Sequence, residues 1–293
     1  MMMLQLKHLR EIEAKTILTK SGLPGADWVI NPYNGCSFGC MYCYAAQIGR
    51  WKHPDEVWGE YVDVKIHAPE LLQKELSAFE KKCQSKNFGT IFFSSVTDPY
   101  MGLEAKYRLT RSCLEVLADF KYEGEICIQT KSPLVTRDID ILSKFIDSKV
   151  GFTITTLDDK VSRFLEVAAP PASARIKALE DLYKAGIKTY AFVGPLLPSS
   201  ATKENIMNIL DELTRVGISE VWFEHINLQK NIKERLFAYL KTEAPELIVD
   251  FEKTETAEYR ENLNKIILEA MEGRPFKMAL GKVIFHGELP KKK

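Results

Sequence analysis

The sequence predicts an α/β fold, a partial (β/α)6 barrel of the TIM type. Three observations carry that reading. Short apolar runs alternate with amphipathic segments from Trp28 to His225, and strands that alternate with helices pair in parallel through right-handed crossovers. A chain of 293 residues is long enough for one such barrel. Polar residues gather where the predicted strands end, the face at which barrels of this kind carry chemistry.

Taken in order, residues 1–25 form an N-terminal arm that closes on the turn Gly22-Leu23-Pro24-Gly25. Trp28-Val29-Ile30 is a short buried strand that runs into a cysteine-rich loop. Residues 45–67 carry Trp51, His53, Trp58 and Tyr61 without a clear period and read as an extended insertion, with the aromatic residues there for packing. Pro69 opens a helix to about Lys82, with Leu72, Leu76 and Phe79 at helical spacing. Gly89 to Ser95 is the second strand. Thr110 caps a helix whose apolar face is Leu114, Leu117 and Phe120, and Glu125 to Thr130 is the third strand. Thr136 caps a helix holding Ile139, Leu142 and Ile146, and Val150 to Thr156 is the fourth strand. A helix from about Pro171 ends near Gly186, where a C-cap belongs. Ile187 to Gly194 is the fifth strand, Thr202 to Arg215 a helix, and Ser219 to His225 the sixth strand. Helices at Lys230–Lys241 and Thr256–Met271, a strand at Lys282–His286 and a disordered tail from Pro290 complete the chain. The barrel therefore spans 26–228, and 229–293 is a C-terminal helical extension packed on it.

Lys+Arg and Asp+Glu both number 40, so the net charge is zero and no broad electrostatic footprint for nucleic acid is expected. No apolar run reaches membrane-spanning length. The stretch Met1 to Glu13 is too charged for a secretory signal. Free thiols fit a reducing, cytoplasmic location. Cys83, Cys113 and Cys127 are scattered without motif spacing, and Cys113 and Cys127, in amphipathic or apolar patterns, read as small core residues.

Cys36, Cys40 and Cys43 differ, because they fall within eight residues as C-x3-C-x2-C. Gly35 and Gly39 precede the first two, and glycine lets backbone turn tightly and approach a ligand. Iron–sulfur clusters are held by cysteine thiolates, four when coordination is complete. Three with no obvious fourth point to a cluster with one iron left open. A zinc site would want a fourth Cys or His at ligand spacing, and the nearest histidine is His53. A disulfide would use two of the thiols and strand the third.

The strand ends supply further candidates: Ser94, Ser95, Thr97 and Asp98, then Gln129, Thr130 and Lys131, then Thr153, Thr155 and Thr156. Val193-Gly194-Pro195 and Glu224-His225-Ile226-Asn227 follow. Each has a plainer reading. Asp98-Pro99 is a common turn pair, the threonines have β-propensity, Lys131 suits a solvated turn, and Glu224 with His225 suits a satisfied pair.

The string Cys36-x3-Cys40-x-Tyr42-Cys43 resembles the signature of the radical SAM enzymes. The longer string from Asn31 to Tyr44, together with Ser95-Val96-Thr97-Asp98-Pro99-Tyr100, resembles the spore photoproduct lyase branch, often labelled DNA repair photolyases. The resemblance runs from about Lys15 to near Phe285 and implies the radical SAM type of six-unit barrel. It implies a [4Fe–4S] cluster on Cys36, Cys40 and Cys43, S-adenosylmethionine (SAM) on the open iron, and reductive cleavage of SAM to a 5′-deoxyadenosyl radical that abstracts hydrogen from substrate. Tyr42 matches the aromatic position near adenine. Ser95, Thr97, Asp98, Lys131 and Thr155 match by position the polar SAM contacts, with Lys131 near the methionine carboxylate and Gly194 against the adenosyl group. A reductant such as flavodoxin or ferredoxin is implied as partner, and nucleic acid is left open as substrate. The lyase's hydrogen-donor cysteine has no counterpart in Phe93-Ser94-Ser95-Val96-Thr97-Asp98, which leaves Tyr42 and Tyr44 as the catalytic candidates for a hydrogen relay. Two other functions stay open: repair of a thymine lesion in DNA, and non-catalytic electron transfer or sensing by an iron–sulfur protein.

Overall fold

A computed structural model describes residues 5–285. Its strands are β1 (His8–Ile12), β2 (Leu18–Lys20), β3 (Trp28–Ile30), β4 (Tyr33–Asn34), β5 (Tyr61–Lys65), β6 (Ile91–Phe93), β7 (Ile126–Thr130), β8 (Ser148–Thr153), β9 (Lys188–Leu196), β10 (Glu220–His225) and β11 (Lys277–Met278). Its helices are α1 (Ala45–Gly49), α2 (Ala68–Cys83), α3 (Glu104–Tyr107), α4 (Leu109–Phe120), α5 (Ile139–Leu142), α6 (Asp159–Leu165), α7 (Ala172–Lys184), α8 (Lys203–Arg215), α9 (Lys230–Glu243), α10 (Ile248–Lys253) and α11 (Ala257–Met271).

The main sheet has eight strands in the order β11-β10-β9-β8-β7-β6-β3-β2. From β3 through β6, β7, β8 and β9 to β10, each strand pairs in parallel with the next. These six strands are the partial barrel. The strand order follows the chain order because each crossover carries a helix back to the start of the next strand. The apolar spacing of those helices explains their seating. On α8, Ile206, Ile209, Leu210 and Leu213 are buried at i, i+3, i+4 and i+7. Each such side chain contributes roughly 1.5–3 kcal/mol by leaving water. One large cluster joins these residues to Phe93, Ile128, Phe152, Val193 and Phe223 of the sheet.

Several expectations are corrected. The N-terminal arm is paired: β2 runs antiparallel to β3, and β1 runs parallel to β5 in a second, three-stranded sheet, β1-β5-β4. The stretch 45–67 is not merely extended, since it holds α1 and β5. Its aromatic residues divide, with Trp58 and Tyr61 buried but Trp51 78% exposed. Thr110 does not cap α4; its hydroxyl donates to the Pro99 carbonyl. The Glu104 carboxylate instead accepts the Thr110 and Arg111 amides at 3.0 and 3.1 Å, meeting donors that the first turn leaves free. Thr136 likewise caps nothing, because Ser132 caps a 3-10 turn over Pro133–Asp138 ahead of the short α5. Ile146 is 80% exposed and belongs to no apolar face. Among the described residues the last strand is β11, followed by a bridge between Ile284 and Glu224. His286 and the tail lie outside the described residues.

Candidate functional site

The cysteine loop leaves β3 and β4 at the C-terminal end of the parallel sheet. Gly35 and Gly39 have φ of 79° and 62°, a backbone region that costs other residues energy. Gly35 is also pinned sterically, since a Cβ there would lie 2.4 Å from the Tyr61 carbonyl oxygen. Cys36 and Cys40 are buried and Cys43 is half-buried. Neighbouring elements hold the loop from several sides. The Met41 amide donates to the Leu165 carbonyl at 2.8 Å, and the Ala168 amide donates to the Phe38 carbonyl at 3.1 Å. The Thr97 hydroxyl donates to the Gly35 carbonyl. The Asn31 side chain accepts the Ser95 and Val96 amides at 2.9 and 3.3 Å, which ties the end of β6 to the end of β3. A second hydrophobic cluster encloses the loop and includes Phe38, Met41, Tyr61, Leu236, Leu240 and Phe251.

Beside the loop lies a buried polar network. The Glu166 carboxylate, at the end of α6, accepts from the Tyr42 hydroxyl, from Arg175 of α7 and, at 3.4 Å, from the Thr155 hydroxyl. Glu166 and Arg175 are 0% and 1% exposed. Arg175 spends its other donors on the carbonyls of Thr153 at 3.0 Å and Pro170 at 2.7 and 2.9 Å. Burial opposes the Glu166 charge, but Arg175 and then Lys131 outweigh it and hold its pKa below the ordinary glutamate value. Lys131, just past β7, is half-buried, with its ammonium 5.7 Å from the centre of the Tyr42 ring. Burial opposes its charge too, yet the Cys40 thiol and Glu166 raise its pKa above the ordinary lysine value. Asp98 shapes the turn that presents it: its carboxylate accepts the Thr130 hydroxyl at 2.6 Å, the Lys131 amide at 2.8 Å and the Tyr100 amide at 2.9 Å.

The structure thus brings Cys36, Cys40, Cys43, Tyr42, Thr97, Lys131 and Thr155 around one loop. Ser95 meets it through Asn31, and the exposed Tyr44 donates its hydroxyl to the Ser95 carbonyl. Gly194 has a packing reason for its identity, because a Cβ there would lie 2.6 Å from Glu224 Cβ. Several strand-end residues serve locally. Ser94 donates to the Ile30 carbonyl at 3.4 Å, Gln129 to Thr153 at 3.3 Å, and Thr156 accepts the Asp158 amide at 3.1 Å. His225 pairs with Asn264 at 2.9 Å. Sequence reasoning missed Asn31, Glu166, Arg175 and Arg235. The last reaches the cysteine loop from α9, where its Nη2 donates to the carbonyls of Cys40 at 2.8 Å and Met41 at 2.6 Å.

The donor set fits an iron–sulfur centre. All three thiols are free. Burial pushes the Cys36 thiol up, Asp98 and the other two cysteines push it further, and Cys40 is pushed up to about 12, chiefly by burial. Thiolates here therefore need a positive centre to neutralise them. Among the described residues no three Cys, His, Asp or Glu side chains converge closely enough to hold a single metal ion. A cubane takes one thiolate per iron and does not require such convergence.

A parallel six-strand partial barrel with a three-thiol loop at its C-terminal mouth defines a class of α/β proteins. A family model described as the radical SAM superfamily matches residues 30–213, and the chain belongs to that superfamily. An uncharacterised protein of Methanocaldococcus jannaschii is 34% identical over 236 residues, covering 80% of this chain and 83% of its own. A radical SAM Nalpha-GlyT isomerase of Pseudomonas phage M6 is 25% identical over 191 residues, covering 65% of this chain and 37% of that one. Among solved structures, spore photoproduct lyase complexed with dinucleoside spore photoproduct is similar in fold, with a TM-score of 0.67 and 17% identity. That likeness covers 92% of this chain and 81% of the lyase. Among the described residues no helix is long and apolar enough to cross a membrane.

Proposed function

We propose that this protein is a cytoplasmic radical SAM enzyme in which Cys36, Cys40 and Cys43 hold a [4Fe–4S] cluster. When bound and reduced, the cluster supplies the electron that cleaves SAM to methionine and a 5′-deoxyadenosyl radical, which takes hydrogen from the substrate. The observation that carries the reading is Lys131. Its ammonium makes no hydrogen bond or ion pair among the described residues, yet it stands at the C-terminal end of β7 beside Cys40 and Tyr42. A cation so placed suits the carboxylate of SAM's methionine part. Tyr42, held by Glu166, keeps its ring beside that ammonium and suits the edge of the adenine site. Thr97, Asp98 and Thr155 act on the cofactor indirectly: Thr97 fixes Gly35, Asp98 fixes the Lys131 turn and Thr155 fixes Glu166. We also assign Ser95, just past β6, and Gly194, in β9, to the surroundings of the bound cofactor. A small redox protein such as flavodoxin or ferredoxin delivers the electron.

Repair of a thymine lesion with a cysteine hydrogen donor has less support. The stretch Phe93–Asp98 holds no cysteine, and the Ser94 hydroxyl is buried and bonded to a carbonyl. Anaerobic reconstitution with iron and sulfide tests the main reading. The wild type should show a [4Fe–4S] signal and form 5′-deoxyadenosine from SAM under reduction. Alanine at Cys36, Cys40 and Cys43 together should abolish both, whereas alanine at Cys83, Cys113 and Cys127 should leave the cluster in place. Loss of the cluster from the second, folded triple variant would refute the ligand assignment.

A further inference from the structure

Arg235 stands 195 and 192 residues from Cys40 and Cys43 in sequence and against their loop in space. Only its Nη2 is used, toward the carbonyls of Cys40, Met41 and, at 3.4 Å, Cys43. Its Nε and Nη1 are buried with no partner among the described residues. Bonds to neutral carbonyls orient a guanidinium but leave its charge uncompensated. Buried charge is costly unless it is paired. The ionisable groups that face it are Cys43, Cys40 and Tyr61, none of them a carboxylate. Its unused donors and its charge therefore look for an anion on the cysteine side.

We infer that Arg235 is a positioning residue that holds the cysteine loop and serves as the charge partner of the thiolate-bound cluster, favouring its reduced form. The inference rests on the cluster reading above. One-electron reduction adds one negative charge to the cluster, and Arg235 neither gives nor takes a proton in the process. Charge and hydrogen bonding around the sulfurs set such potentials. A fixed cation on α9 thus makes the electron easier to accept, and it arrives from outside the segment 30–213 that the family model matches.

The test is an electrode titration, with soluble mediators supplying the electron, on anaerobically reconstituted protein. Wild type is compared with R235K, R235Q and R235M, and all four are checked for folding by circular dichroism. At a fixed potential, R235Q and R235M should show a reduced-to-oxidised ratio at least about tenfold below wild type, a shift of about 59 mV for one electron. R235K, which keeps the charge, should stay closer to wild type than R235Q does. Equal potentials in wild type and R235Q would overturn the inference and leave Arg235 as a backbone clamp alone. If R235Q and R235M lose the cluster on loading, retention replaces potential as the readout. Retention by R235K alone then supports the charge role, and equal loss in R235K overturns it. Absence of any cluster in the wild type would instead refute the functional reading itself, before a variant is compared.

Discussion

Replacing Glu166 with alanine removes the one carboxylate that joins α6, α7, the cysteine loop and the end of β8. Arg175 would keep its bonds to the Thr153 and Pro170 carbonyls but lose its counter-charge while 1% exposed. Removing one member of a buried ion pair costs about 3–5 kcal/mol. The Tyr42 hydroxyl also loses its acceptor, and such an orphan costs about 1–3 kcal/mol. The two effects share one site and do not simply add, so a loss of about 4 kcal/mol is expected. With a urea slope of about 2–3 kcal/mol/M, the unfolding midpoint should fall by about 1–2 M. E166Q keeps the acceptor for Tyr42 and loses only the charge, so it should fall between alanine and wild type. The pH dependence has a definite sign. The Glu166 pKa is lowered in the folded protein, through Arg175 and Lys131 against the opposing effect of burial. Its stabilisation is therefore present above the unfolded glutamate value of about 4.3 and lost as pH falls through the lower folded value. The gap between wild type and E166Q should narrow over that acidic range. Urea titrations at several pH values measure both effects. A loss below about 1 kcal/mol for E166A, the scale of an ordinary substitution, would refute the assigned role.

Lys131→Ala should weaken SAM binding to cluster-loaded protein by about ten- to a hundredfold, from a charge-assisted bond worth roughly 1.5–3 kcal/mol; unchanged affinity by equilibrium dialysis counts against the carboxylate contact. Reduced, SAM-bound enzyme should not cleanly convert a spore photoproduct dinucleotide to thymine, because Ser94 and Ser95 stand where a cysteine donor would be needed. Efficient reversal measured by chromatography would make lesion repair the function and turn attention to Tyr44, testable with Tyr44→Phe.

The cysteine loop and six-strand frame were legible because both are local. Cys36, Cys40 and Cys43 lie within eight residues, and each strand announces itself as a short apolar run. The place of Lys131 beside the loop was legible for the same reason, since strand end and lysine are adjacent in sequence. Glu166 was not, because it meets Tyr42 across 124 positions, and one glutamate at a helix end looks like any solvated helix charge. Arg175 was hidden in the same way within the predicted helix from Pro171. The missed cap at α4 has a similar cause: Glu104 reaches its acceptor position from a separate short helix, six and seven residues ahead of the amides it binds. A threonine at a predicted helix start signals a cap only when no better acceptor folds into its place. Trp51 and Trp58 looked alike in sequence. Only Trp58 joins the cluster around the cysteine loop, and a segment without a clear period cannot say which aromatic residue faces inward.

A neutral total charge proved compatible with a strongly charged site, because the balance is made locally. Three cations surround the cysteine loop: Lys131, Arg175 and Arg235. Glu166 neutralises only Arg175 directly. Lys131 and Arg235 are left facing Cys40 and Cys43 without a carboxylate of their own in contact. The two cations approach from opposite ends of the sequence logic. Lys131 belongs to the barrel frame and follows from a strand end, whereas Arg235 comes from α9, past the last barrel strand. Leu236 and Leu240 of the same helix enter the hydrophobic cluster around the loop, and the Tyr239 hydroxyl donates to the Phe164 carbonyl at 2.9 Å. A helix that seals the cysteine loop's apolar surroundings and delivers a charge to its backbone is part of the site.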